Sequence, residues 1–202
     1  MTTFYFVRHG QTTANALGLK QGTINDERTH LTAKGTAQAR HLATQFSLAG
    51  MDALFVSPLD RTRETAASLN ETAKLTPQLD ERLLEISYGS WDGQLNAELR
   101  AAHPEVFDPV LNDVLPRYFD VAVGGESFAQ AQARVAAFMT ATAAAYPAGD
   151  VVCVTHGLPV QAAALVALPP PHPMTPPAPH HTRLTPLPFY ACASSLRYYT
   201  LF

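Results

Sequence analysis

The chain has 202 residues, 47% of them hydrophobic and 15% charged, with a formal net charge of -3. That length accommodates one domain with a core able to hold a rigid site, so residues 1–202 read as a single domain. The charge balance offers no basic excess for a nucleic-acid backbone or an anionic membrane, which leaves a small soluble substrate as the expected partner.

The first element is a strand at residues 4–8, a β-branched and aromatic run. Met1-Thr2-Thr3-Phe4 enters it directly, without the basic and apolar regions of a signal peptide, and this predicts a cytoplasmic protein. His9 and Gly10 follow the strand, where a glycine beside the histidine would let a phosphate approach the backbone. A helix is predicted over residues 32–46, opened by a capping Thr32. Residues 52–56 read as a second strand, Ser57-Pro58 as a turn and residues 61–75 as a helix.

Residues 85–120 are less regular and are expected to supply a wall of the site. Ser127 is placed to cap a helix over residues 128–145. A third strand at residues 151–155 leads through His156-Gly157 into a helix over residues 159–168, with Pro159 in its first turn. Residues 169–188 are crowded with proline, which excludes a regular helix or central strand there. The segment reads as a surface excursion before a last strand at residues 195–201, an edge strand able to pair with a second copy as a homodimer.

No apolar run approaches the roughly 20 residues of a membrane-spanning helix. Cys153 and Cys192 lie in apolar, strand-like runs and read as small buried side chains in a reducing compartment. His172, His180 and His181 stand among the prolines without the spacing of a metal site, so no metal is expected.

Strands alternating with helices predict an α/β fold, a three-layer α/β/α sandwich around a mostly parallel central sheet. Ligands in such folds gather at the carboxyl ends of strands. His9, Arg61 and His156 each fall just past a predicted strand, so one sheet edge can assemble them. Arg8 and Arg61 supply forked donors suited to phosphate oxygens. Taken alone, Arg61 reads as a solvated helix residue paired with Glu64 or Glu81.

Six motifs then occur in order: Arg8-His9-Gly10-Gln11-Thr12 with Asn15; Leu31-Thr32 with Gly35 and Gln38-Ala39; Ser57-Pro58-Leu59 with Arg61 and Thr65-Ala66; Leu83-Leu84-Glu85 with Gly89, Trp91 and Gly93; Gly125-Glu126-Ser127 with Arg134; and Val154-Thr155-His156-Gly157. In these the chain resembles the histidine phosphatase superfamily, in its phosphoglycerate mutase-like branch. The resemblance implies a phosphatase in which His9 attacks phosphorus and becomes a phosphohistidine. Arg8, Arg61, His156 and Asn15 would hold the equatorial oxygens, and Glu85 would protonate the leaving group, with Asp80, Glu81 and Asp92 as nearby rivals. The same resemblance puts Gln21 and Gly22 near the phosphate, Tyr88 beside the acid, and the Gly157-Leu158 backbone at the substrate border. It implies no cofactor. Trp91 and Gly93 read as structural, an apolar anchor and a tight turn.

The family's mutases grip a second phosphate with paired arginines and a lysine on a longer central insertion. Residues 96–120 here carry only Arg100 and Arg117, well separated. A metal-independent phosphomonoesterase acting on a small phosphorylated metabolite is therefore expected over a 2,3-bisphosphoglycerate-dependent mutase. A non-catalytic phosphate-binding module is the further alternative, disfavoured because both histidines, both arginines and the acid are present. The superfamily's acid phosphatase and phytase branch has a further arginine soon after the glycine, where this chain has Gln11-Thr12-Thr13, which sets that branch aside.

Overall fold

The computed structural model of the chain describes residues 1–167 and, as backbone, 194–199. The proline-rich stretch with His172, His180 and His181 lies outside the described residues, as do Cys192, Leu168 and Leu201.

Strand β1 (Thr2–Arg8) is followed by the short helix α1 (Thr13–Leu17), helix α2 (Ala33–Gln45), strand β2 (Ala53–Val56) and helix α3 (Asp60–Leu69). After them come strand β3 (Pro77–Leu79), helix α4 (Asn96–Ala102), helix α5 (Phe128–Ala145), strand β4 (Asp150–Thr155), helix α6 (Gly157–Ala167) and strand β5 (Ser194–Tyr199). The sheet order is β3-β2-β4-β1-β5, and every pairing is parallel. The expected parallel sheet is present, with β5 on its edge.

Side-chain alternation along the strands builds two cores. Phe4, Phe6, Val151 and Cys153 face one side and pack with Val135, Phe138 and Met139 of α5 and Val160 and Ala163 of α6. Val7, Leu54, Val56, Val152 and Val154 face the other and pack with Leu42 of α2, its C-cap Phe46, and Ala66 and Leu69 of α3. Because successive strand side chains point to opposite faces, apolar residues at both parities require a helix layer on each side. A third core under residues 85–131 joins Ile86, Trp91, Leu99, Phe107 and Tyr118.

Caps set the helix starts where polar residues were expected to set them. Thr32 accepts from the Gly35 amide at 3.0 Å, and Ser127 with Gln130 forms a reciprocal capping box. Several elements differ from expectation, the short helices α1 and α4 among them, neither of which was predicted. Helix α3 stops at Leu69 rather than residue 75, because the Asn70 side chain bonds both the amide and the carbonyl of Leu75 and turns the chain. Helix α6 begins at Gly157, ahead of Pro159. Strand β3 gives no sequence signal: it is three exposed residues recruited by β2, and its proline is tolerated at an edge. No described helix is long and apolar enough to cross a membrane.

Candidate active site

Parallel register decides which residues meet. Arg8 pairs with Thr155 and Val56 with Val154, so the residues that follow these strands leave the sheet at one edge. The ladder runs one residue further on each side, with His9 N bonded to Thr155 O and Ser57 N to Val154 O, both at 3.0 Å. His9, Ser57 and His156 are thereby fixed at neighbouring strand ends. Arg61 joins them from the first turn of α3.

The His9 ring is buried, and its Nδ1 donates to the Gly10 carbonyl at 2.7 Å. That bond assigns the hydrogen to Nδ1 and leaves the Nε2 lone pair bare. Burial, followed by the charges of Arg61 and Arg8, holds the imidazole well below its ordinary value of 6.5. The ring is accordingly neutral at working pH, as a nucleophile must be. Desolvation is the larger cause, and the two arginines add to it.

Gly10 has a different purpose from the one expected. A Cβ there would stand 2.4 Å from the Gly35 carbonyl oxygen, and one on Gly35 would stand 2.1 Å from the Gln11 carbonyl oxygen. The two glycines let the loop after β1 press backbone to backbone against the start of α2. The approach that Gly10 permits is to protein rather than to phosphate.

Arg61 is fully buried, which overturns the reading of it as a solvated residue paired with Glu64 or Glu81. Its Nη2 donates to Gly22 O at 2.7 Å, its Nη1 to Ile24 O at 3.0 Å and its Nε to His156 Nδ1 at 3.3 Å. One hydrogen remains on each Nη. Burial lowers the group to about 10 against the pull of Glu85 and Asp92, so the guanidinium stays charged at neutral pH. Glu64 instead accepts from Leu31 N and contacts His30. The Arg8 side chain makes no hydrogen bond to other described residues and lines the site beside His9 and Arg61.

These groups face a cavity of about 340 Å³, the size of a small-molecule site. Arg8, His9, Asn15, Gln21, Gly22 and Arg61 line it from one side of the chain's order, and Glu85, Tyr88, Gly157 and Leu158 from the other. Each was singled out from the sequence. Asn15 Oδ1 accepts from Thr12 N at 3.1 Å and Gln21 Oε1 accepts from Thr12 Oγ1 at 2.9 Å, so the amide nitrogens are the groups left to an anion. Gly22 has φ +49, and a Cβ there would overlap the Asp92 carboxylate at 1.7 Å.

His156 is the exception among the expected residues. Its ring lies 5.2 Å from that of His9, yet it is fully buried and does not line the cavity. Nδ1 accepts from Arg61, so Nε2 carries the hydrogen and donates to Ser57 Oγ at 2.7 Å. Both ring nitrogens are thus engaged, one with Ser57 and one with Arg61. Burial and then Arg61 keep this imidazole well below 6.5 too.

Glu85 follows a 3-10 turn at Glu81–Leu83, which Thr155 Oγ1 ties to the end of β4 through Leu83 O at 2.6 Å. Its carboxylate accepts from the amides of Gly157 at 3.2 Å and Leu158 at 3.3 Å. The backbone expected to border substrate thus holds the acid. The rival carboxylates are committed elsewhere: Asp80 to Arg82 at 2.6 Å, and Asp92 to Thr23 N and Tyr88 N at 3.1 and 2.9 Å, while Glu81 is exposed. Trp91 is buried and Gly93 takes φ +84, consistent with structural roles.

Asn96, Leu111, Asn112 and Asp113 also line the cavity, from the segment 85–120 expected to supply a wall, whereas Leu19, Lys20 and Gln161 are lining residues that the sequence did not announce. Lys20 adjoins Gln21, the one signal that could have flagged it. Among the described residues no group of three or more His, Cys, Asp and Glu side chains could hold a metal ion. The cationic side chains lining the cavity are those of Arg8, Lys20 and Arg61.

The sequence model of the histidine phosphatase superfamily, branch 1, matches residues 4–200. The chain is 32% identical over 162 residues to phosphoserine phosphatase 1 of Hydrogenobacter thermophilus, covering 80% of this chain and 74% of that one. Its fold is similar to that of Bacillus stearothermophilus YhfR, with TM-score 0.73, 27% identity and coverage of 88% and 83% of the two chains. It is also similar to a mycobacterial glucosyl-3-phosphoglycerate phosphatase solved with VO3, with TM-score 0.67, 27% identity and coverage of 82% and 81%.

Proposed function

The chain belongs to the histidine phosphatase superfamily, and on that premise we propose that it is a metal-independent phosphomonoesterase that transfers the phosphoryl group of a small metabolite to His9 Nε2 and then to water. One observation carries this: the Nδ1 bond to Gly10 O leaves Nε2 as a bare, uncharged nucleophile in a cavity shared with two arginines. The phosphatase names of relatives similar along most of their length support the same reaction class.

Arg8 and the free Nη hydrogens of Arg61, with the amides of Asn15 and Gln21, would bind the phosphoryl oxygens and spread their charge as the P–O bond breaks. Glu85 gives its proton to the departing alkoxide. In the second half-reaction its carboxylate takes a proton from the attacking water, and the N–P bond breaks to return His9 and release phosphate. His156 would act as a positioning residue, holding Arg61 from behind. A mutase would need free cations for a second phosphate, and the cavity's third cation, Lys20, is already paired with Asp113 at 2.8 Å.

We further read the chain as one domain working in the cytoplasm, with edge strand β5 as the element through which a second copy would pair. The reaction is tested with p-nitrophenyl phosphate in the presence of EDTA. Turnover by the wild type and none by His9→Ala supports it; loss of wild-type turnover on adding EDTA, or equal turnover by the two proteins, counts against it.

A further inference from the structure

The cavity contains a second charged pair that phosphoryl transfer does not use. Lys20 Nζ lies 2.8 Å from Asp113 Oδ1 and 4.5 Å from the centroid of the Tyr88 ring. The Lys20 side chain is 9% exposed, whereas that of Asp113 is 43% exposed. Burial opposes the charge on Asp113, but Lys20 overrides it and holds the carboxyl below its ordinary value.

Each partner keeps unused valence. Of the three ammonium hydrogens, one goes to Asp113 and the face of Tyr88 takes a second, leaving a third. Asp113 Oδ1 accepts from Lys20 and from Val114 N at 2.8 Å, while Oδ2 has no hydrogen bond among the described residues. The pair as a whole is neutral, so it exerts little pull on a second phosphate, and Asp113 would repel one. What it complements is a group that carries both signs.

The geometry points to Lys20 and Asp113 as the residues that select the leaving group, and to a leaving group bearing a carboxylate and an ammonium on one carbon, as in a phosphorylated hydroxy amino acid. The substrate carboxylate accepts the remaining Lys20 hydrogen and its ammonium donates to Asp113 Oδ2, giving four alternating charges. This rests on the phosphatase reading above and narrows its substrate.

Three monoesters separate the contributions. O-phosphoserine and 3-phosphoglycerate, both as racemates, differ by an ammonium in place of a hydroxyl; phosphoethanolamine lacks only the carboxylate. For the wild type, kcat/KM for O-phosphoserine is expected to exceed that for either analogue by at least about tenfold, since a site built to hydrogen-bond a substrate group can reject an analogue lacking it by up to about 10⁴–10⁵. Asp113→Asn should shrink the ratio to 3-phosphoglycerate, and Lys20→Met the ratio to phosphoethanolamine, each ratio being internal to one protein. Wild-type ratios near one, with p-nitrophenyl phosphate still hydrolysed, overturn the inference and leave the phosphatase reading standing, and so do ratios that neither variant changes. A wild type that hydrolyses no monoester overturns both. If a variant does not fold, the wild-type ratios alone decide the class.

Discussion

Glu85 accepts the backbone hydrogen of Gly157 at 3.2 Å, so the start of α6 holds in place the carboxyl proposed as proton donor. The isosteric Glu85→Gln change keeps a hydrogen-bonding oxygen there and removes the transferable proton. General acid catalysis contributes about 10²–10⁴-fold, and turnover of an alkyl phosphate should fall by that much. p-Nitrophenyl phosphate, whose leaving group needs no proton, should lose far less. Steady-state kcat for the two substrates checks this; equal losses would remove Glu85 from the role.

The two arginines should separate activity from stability. The Arg8 side chain has no hydrogen bond to other described residues, so Arg8→Ala should cost turnover but shift unfolding free energy by no more than about 0.5 kcal/mol. Arg61 is buried and satisfies Gly22 O and Ile24 O. Arg61→Ala leaves those carbonyls without a partner and should cost stability as well, on the order of 1–3 kcal/mol. Urea unfolding of both variants reads the difference.

His9 and His156 are both held well below 6.5 in the folded chain, first by burial and then by Arg61. Their unfolded values stay near 6.5, so the unfolded state takes up protons that the folded state refuses. Stability is therefore full above pH 6.5 and declines as pH falls below it, by up to about 1.4 kcal/mol per pH unit for each histidine. Urea titrations between pH 7.5 and about 5 should show that slope, and His156→Asn should reduce it. For the same reason the acid limb of kcat/KM that reports His9 should lie below 6.5 rather than at it.

Gly10→Ala tests the packing of the loop that carries His9. The added methyl would stand 2.4 Å from the Gly35 backbone oxygen, which has no flexible side chain to move aside. The loop after β1 must shift, and with it the Gly10 carbonyl that fixes the His9 tautomer. Turnover should fall by at least about tenfold, a misplacement effect, and a parallel loss of thermal stability is expected in a melting curve.

Much of this site is legible in the sequence because its residues follow strands whose apolar runs mark them. Arg8, His9 and the His156-Gly157 step are placed by β1 and β4, and the polar caps Thr32 and Ser127 fix where α2 and α5 begin. Hidden from the sequence is anything set by distant pairing. Strand β3 exists only because β2 recruits it, and α3 ends early through a side-chain bond from Asn70 to Leu75. The bond that engages His156 Nε2 goes to Ser57, a residue 99 positions away in the chain. Lys20 and Asp113, 93 positions apart, meet by the same kind of long-range folding, and neither carries a local pattern.

The central claim is a covalent bond between phosphorus and His9 Nε2. Rapid acid-free quenching of the enzyme during turnover of a ³²P-labelled monoester, followed by peptide mapping, tests it directly. Label on the peptide containing His9, stable to base, released by acid and absent from His9→Ala, is the expected result. Absence of label from the wild type during turnover, or its persistence in His9→Ala, would contradict the account.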